Sequence, residues 1–205
     1  DDLVHQGKVR YIACSNYEAW RLMEAVWISD SKGLARFIAY QPQYSLVVRD
    51  IEQELLPVCT LKGIGVVIWS PLAGGFLTGK YRPGERQVSG ARSAEGWAYP
   101  ARYFAANADE TLAVLLETAA AVGRTPAQVA IRWTLEQPAI TSAIVGARTV
   151  EHFRDNLGAT GWRLEGELLA KLNTVSHLPD RYPESMEKDM DSRRNQAVAA
   201  PRLTF

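Results

Sequence analysis

Gly65-Val66-Val67-Ile68-Trp69-Ser70-Pro71-Leu72-Ala73-Gly74-Gly75 sets an unbroken apolar run against a turn rich in proline and glycine. A short continuous run bounded in this way is the pattern of a parallel strand covered on both faces. Three more runs share it: Val9 to Ala13, Phe37 to Gln41, and Ser142 to Val145. The first three begin roughly 28 residues apart, the length of a strand-plus-helix unit.

Helical patterns fill the intervals. Asn16 offers an N-cap ahead of Trp20, Met23, Val26 and Trp27, whose spacing predicts an inward stripe, with Gly33 at the stop. Asp50 opens a second helix reaching Gly63, with Pro57 near its start or kinking it. Asn107, with Glu110 three positions later, predicts a capped helix to Gly123. Thr125-Pro126-Ala127-Gln128 repeats the capping logic ahead of a helix that buries Val129, Ala130 and Trp133 and ends before Pro138. Thr149 caps a last helix through Phe153 and Leu157. From about Lys80 to Ala106 no periodicity survives, although Trp97, Tyr99, Tyr103 and Phe104 lie there; loops of this length are usually functional or mobile. The tail, about 178–205, is polar and contains proline.

Alternating strands and helices mean an α/β fold with a parallel sheet. The rhythm alone does not separate a doubly wound sheet from a barrel. No G-x-G-x-x-G joins the first strand to its helix, which argues against a dinucleotide-binding doubly wound sheet. A closed barrel takes eight units and typically about 250 residues, so four units are half of one, with two open sheet edges. Asp1 to Lys8 read as the tail of a helix stopped at Gly7, with no methionine ahead of it, and the expectation is that sequence precedes Asp1.

Composition narrows the function classes. Of 205 residues, 47% are hydrophobic and 22% charged, an ordinary globular balance. Lys plus Arg and Asp plus Glu both count 23, and no basic stripe recommends a nucleic-acid partner. No apolar run approaches the roughly 18 residues that span a bilayer. Cys14 and Cys59 are too few for a disulfide framework or a zinc site. The expectation is a soluble, cytoplasmic protein with no bound metal and no membrane or nucleic-acid partner.

Polar and aromatic residues stand directly after the strands, at the ends where barrels bind ligands. Ser15, Asn16 and Gln41 together present donors and acceptors that suit a carboxamide; equally, Asn16 caps a helix and Gln41 satisfies backbone. Trp69 can stack on a planar ring or simply fill the core. Gly74, Gly75 and Gly79 allow close approach of backbone to a phosphate, or only turn the chain. Arg148, beside a helix that starts at Thr149, suits a phosphate, the alternative being a solvated arginine.

The combination is more specific than its parts. Gly7 to Ile12 with Ser15-Asn16, Tyr40-Gln41-Pro42-Gln43-Tyr44-Ser45-Leu46, Glu54-Leu55-Leu56-Pro57, Trp69 to Tyr81, Thr125 to Ala130 and Ile144-Val145-Gly146-Ala147-Arg148-Thr149 resemble aldo-keto reductases, in family order, from Asp1 to about Glu187. The resemblance implies a (βα)8 TIM barrel of which residues 1–205 form the C-terminal half, strands five to eight of a single domain. It implies that Ser15, Asn16 and Gln41 hold a nicotinamide carboxamide and that the ring stacks on Trp69. Ser70, Pro71, Leu72 and Gly74, with the loop to Lys80, then match the pyrophosphate clamp. Gly146 and Arg148 match the adenosine 2′-phosphate site, favouring NADP(H), and Asp155 and Asn156 match the adenine end. His152 stands where relatives with this motif usually carry glutamine.

Family chemistry moves a hydride from NADPH to a carbonyl substrate while a tyrosine, tuned by a lysine and an aspartate, protonates the oxygen and a histidine orients the substrate. All four belong to the first four βα units, so no catalytic residue is assigned here and the chain alone is expected to be inactive. The alternative is a truncated, non-catalytic relative that binds nucleotide or a partner protein, as the family's potassium-channel β subunits do. Open sheet edges also make self-association an expectation.

Overall fold

The computed structural model describes residues 1–86, 88, 103, 107–183, 185–186 and 189–191. Much of the 80–106 loop, with Trp97, Tyr99 and Phe104, and the end of the tail lie outside the described residues.

Four parallel strands form one sheet in the order β1 (Ile12–Ser15), β2 (Phe37–Gln41), β3 (Gly65–Trp69), β4 (Ser142–Ile144). Ser15 lies opposite Gln41, Tyr40 opposite Val66, and Trp69 opposite Ile144. The C-terminal ends of all four strands therefore share one rim. β1 starts later than the apolar run at Val9 suggests, and a register shift separates Ile12 from Ala13. On β3, burial alternates: Val66 and Ile68 are buried against the helices, whereas Gly65, Val67 and Trp69 are only half-buried. A continuous apolar run predicts cover on both faces; within the described residues only the helical face has it. The other face is the one that further strands would enclose in a closed barrel.

Around the sheet lie α1 (Asp2–His5), α2 (Ala19–Lys32), α3 (Leu55–Lys62), α4 (Ala108–Ala121), α5 (Pro126–Glu136), α6 (Val150–Leu157) and α7 (Gly166–Val175). α2 corrects the expected stripe. It buries Leu22 and Val26, while Trp20 and Trp27 are 61% and 67% exposed. At about 100° per residue, Leu22 sits roughly 200° around the helix from Trp20, so the two indoles occupy the opposite face. The N-cap is Glu18, which leaves Asn16 out of the helix.

The helix expected from Asp50 is two elements, a 3₁₀ turn at Asp50–Glu52 and then α3. Pro57 falls in the first turn of α3, where its missing N–H interrupts no helical bond, and left-handed Gly63 (φ 65°) ends the helix. Asn107 precedes α4 but makes no cap bond; its amide donates instead to the carbonyls of Val175 and His177. The capping box at Thr125 forms in full, with Pro126 at the first position of α5. α7 has no side-chain cap bond and lacks a strong sequence signal. Among the described residues no helix is long and apolar enough to cross a membrane. Cys14 and Cys59 are free and buried, and burial pushes the Cys59 thiol up to about 11.

A buried polar network joins the sheet to its helices. The chain after β2, from Pro42 to Arg49, is buried throughout. Arg49 grips Glu52 bidentately at 2.7 and 2.8 Å, and donates at 2.7 Å to both the Asn173 carbonyl and the Ser176 hydroxyl at the end of α7. Its guanidinium lies 5.2 Å from the centre of the Trp133 ring, on which Tyr44 also stacks at 5.3 Å. The Trp133 indole donates to Asn173 at 2.8 Å, and the Tyr44 hydroxyl donates to Glu52 at 2.5 Å. Burial and then the Glu52 charge push the Tyr44 hydroxyl above the ordinary phenol range, so it stays a donor.

Removing one partner of a buried ion pair leaves the other uncompensated. Arg49→Ala is expected to cost about 3–5 kcal/mol in urea unfolding. A loss below about 1 kcal/mol would assign the network a minor role.

Candidate functional site

The rim above β1, β2 and β3 gathers Ser15, Asn16, Gln41 and Trp69. Two backbone bonds fix Trp69 against the segment after β2: its N–H donates to the Pro42 carbonyl at 2.9 Å, and its carbonyl accepts from the Tyr44 N–H at 3.3 Å. Tyr44 is itself held by Trp133 and Glu52, so the buried network sets where the indole stands. The indole N–H then donates to Asn16 Oδ1 at 3.1 Å. Released from any capping duty, Asn16 adopts a left-handed conformation (φ 57°), which asparagine tolerates better than most residues. Ser15 Oγ donates to the Gln41 carbonyl at 2.8 Å, which leaves the hydroxyl oxygen able to accept. Among the described residues nothing pairs with the Asn16 amide nitrogen or with the Gln41 side chain. The rim thus holds an indole face, the Asn16 amide nitrogen, the whole Gln41 amide and a hydroxyl acceptor.

The turn after β3 carries a second left-handed cluster. Ser70 (φ 59°) and Ala73 (φ 48°) join Asn16 as the three non-glycine residues with positive φ among the described residues. Each such residue costs on the order of 1–3 kcal/mol and persists only where its surroundings over-determine it. Here Ser70 is the anchor: its carbonyl accepts from Ala73 N–H at 3.0 Å and its hydroxyl oxygen from Gly74 N–H at 3.2 Å. The Leu72 carbonyl accepts from Gly75 N–H at 2.9 Å, and Thr78 Oγ1 donates to the Gly75 carbonyl at 2.7 Å. Pro71, Ala73, Phe76 and Leu77 are buried, which pins the loop from inside. Leu72 and Gly74 are half-buried, and Lys80 is exposed at the end of the segment.

Pairing of β3 with β4 brings a third set alongside. Gly146 and Arg148 are exposed between β4 and α6. Thr149 caps α6, its hydroxyl oxygen accepting from the His152 N–H at 3.2 Å, and the His152 side chain is exposed on the first turn. Asp155 and Asn156 have partners within the chain that the sequence did not reveal. The Asp155 carboxylate accepts from Thr125 Oγ1 at 3.0 and 3.1 Å and from Gln128 Nε2 at 2.9 Å. Asn156 is buried, and its amide donates to the Gly146 carbonyl at 3.4 Å. All fourteen residues singled out in the sequence therefore lie at strand ends or in the segments that directly follow them. The framing residues Pro42, Tyr44 and Arg49 were missed, because a buried loop without periodicity gives no sign of its long-range partners.

The model of the Aldo/keto reductase family matches residues 1–176. An uncharacterized oxidoreductase of Bacillus subtilis, YrpG, is 36% identical over 84% of this chain and 50% of its own length. A putative voltage-gated potassium channel subunit beta of Schizosaccharomyces pombe is 32% identical, covering 84% of this chain and 52% of that protein. Protein tas of Escherichia coli is also 32% identical, over 86% and 50% respectively. The chain spans about half the length of the curated relatives it matches. With a four-stranded parallel α/β sheet and a family match over most of its residues, the chain belongs to the aldo/keto reductase family, whose fold is the (βα)8 barrel.

Proposed function

We propose that this chain supplies the nicotinamide-dinucleotide site of an oxidoreductase that reduces aldehydes or ketones with NADPH. The observation that carries the reading is the rim of Asn16, Gln41 and Trp69 on three adjacent strand ends, where among the described residues the Asn16 amide nitrogen and the Gln41 side chain have no partner and Asn16 is held in a left-handed conformation. Strain of this kind is retained where a site needs it. A nicotinamide carboxamide has one acceptor and two donor hydrogens, which two side-chain amides and a serine oxygen complement. The Trp69 face offers the planar ring a stacking partner. Ser70, Pro71, Leu72 and Gly74 bring main chain to the rim beside it, in position for a pyrophosphate, with Lys80 as a nearby cation. Arg148 and the capped start of α6 offer a guanidinium and N–H groups to a 2′-phosphate, which separates NADPH from NADH.

When bound, NADPH supplies the hydride for carbonyl reduction. The chain's own residues orient the nicotinamide face and hold the phosphates. The family's proton donor belongs to its first four βα units, and no residue of this chain is assigned that role. Residues 1–205 thus act as the second half of one barrel domain, in the cytoplasm, without nucleic acid or membrane partners. The outer edges of β1 and β4 have no strand partner among the described residues, so the isolated chain is prone to pair with further strands, including those of another copy.

A second reading has specific support. The Schizosaccharomyces pombe relative and a relative in Arabidopsis thaliana, 32% identical over 89% of this chain, are named as putative or probable voltage-gated potassium channel beta subunits. On that reading the same rim binds nucleotide, and the consequence is regulation of a partner.

Two measurements test the 2′-phosphate assignment and the place of the proton donor. Arg148→Ala in the full-length protein is expected to raise the Kd for NADPH at least tenfold, the scale of a lost charge-assisted contact, and to leave NADH nearly unchanged. Equal losses for both nucleotides would remove the 2′-phosphate assignment. The 205-residue chain alone is expected to oxidise no NADPH with aldehyde substrates. Turnover by the purified chain would place the proton donor within it.

A further inference from the structure

The first turn of α5 touches two parts of the proposed nucleotide site that are far apart in sequence. On one side, Gly79 closes the turn after β3 with φ 83°, and a Cβ built there would lie 2.8 Å from Pro126 Cγ. The end of that turn therefore packs directly on the first residue of α5. On the other side, Thr125 and Gln128, the two members of the α5 capping box, both direct side-chain donors at the Asp155 carboxylate. Gln128 spans the box, its Oε1 accepting from the Thr125 N–H at 3.3 Å while its Nε2 donates to Asp155 at 2.9 Å. Gly158 leaves the room: a Cβ there would come within 2.3 Å of Gln128 Nε2.

We infer that the α5 capping box is a bracket that positions Asp155, and with it the adenosine end of the site, relative to the phosphate-binding turn. The inference rests on the nucleotide reading above and extends it to residues outside the strand ends. A helix cap ordinarily needs only the hydroxyl and one amide oxygen. Here the remaining donors of both cap side chains converge on one carboxylate from a different helix. Thr125, Gln128 and Gly158 are positioning residues, acting on nucleotide only through Asp155.

The Gly158 position separates this role from a general contribution to stability. Its backbone is right-handed (φ −62°, ψ −7°), a conformation alanine adopts readily, although the new Cβ would lie 3.1 Å from the Asp155 carbonyl oxygen as well as against Gln128. An alanine in a compatible conformation stabilises by restricting the unfolded chain. The added methyl would nevertheless displace the Gln128 amide from Asp155.

The test uses the full-length protein, with adenosine 2′,5′-bisphosphate as the probe, titrated calorimetrically, and thermal melting in parallel. Gly158→Ala and Gln128→Ala are each expected to weaken the probe about 5- to 10-fold, the scale of one ordinary hydrogen bond, since the loss reaches the probe only through Asp155. Gly158→Ala should lower Tm no more than Gln128→Ala does, since its backbone conformation suits alanine. In combination with Asp155→Ala, Gln128→Ala is expected to add almost nothing, since both remove the same interaction. Additive losses, or unchanged binding in Gly158→Ala, would overturn the bracket while leaving the nucleotide reading in place. Failure of the unmutated protein to bind either the probe or NADPH would overturn both.

Discussion

Arg49 carries its positive charge into the interior, and much of the arrangement around it follows from the need to satisfy that charge. A guanidinium has five N–H donors in a fixed fork, and four hydrogen bonds to Glu52, Asn173 and Ser176 employ it within a space that Trp133 closes from the side. Three pieces of chain distant in sequence are thereby locked together: the segment after β2, the middle of α5 and the end of α7. That segment in turn supplies both backbone partners of Trp69. The indole at the rim is held from below by a network in which it takes no direct part.

The contrast between this support and the rim above it is physical. Below, polar groups are paired and buried. Above, three non-glycine residues sit in left-handed conformations, and the amides of Asn16 and Gln41 have donors and acceptors to spare among the described residues. Strained backbone costs stability, the spare amide groups stand open to a ligand, and their coincidence on adjacent strand ends is what makes this rim the candidate site rather than another loop cluster.

The fold was largely legible from periodicity. Four apolar runs became four parallel strands, and Phe37–Gln41 and Gly65–Trp69 matched to the residue. The capping box at Thr125 was also legible, because both of its members lie within four residues. Errors arose where a local signal had two outcomes. Asn16 is an excellent cap by type, yet α2 begins at Ala19, and the freed side chain pairs with an indole 53 residues away. Trp20 and Trp27 are large and apolar and suggest an inward face, but the smaller Leu22 and Val26 fill the space beneath the helix. Asp155 was read as a ligand contact from resemblance, and nothing in its neighbourhood announced that Thr125 and Gln128 would meet it. Long-range polar pairing leaves no periodic trace, which is why the strand ends were legible and the contacts that support them were not.

The central claim is that the strand-end rim receives the nicotinamide end of a dinucleotide. A crystal structure of the full-length protein with NADPH tests it most directly. The account predicts the nicotinamide ring stacked on Trp69 with its carboxamide within hydrogen-bonding distance of Asn16 and Gln41. A nucleotide bound elsewhere, with the rim amides facing water, would contradict it.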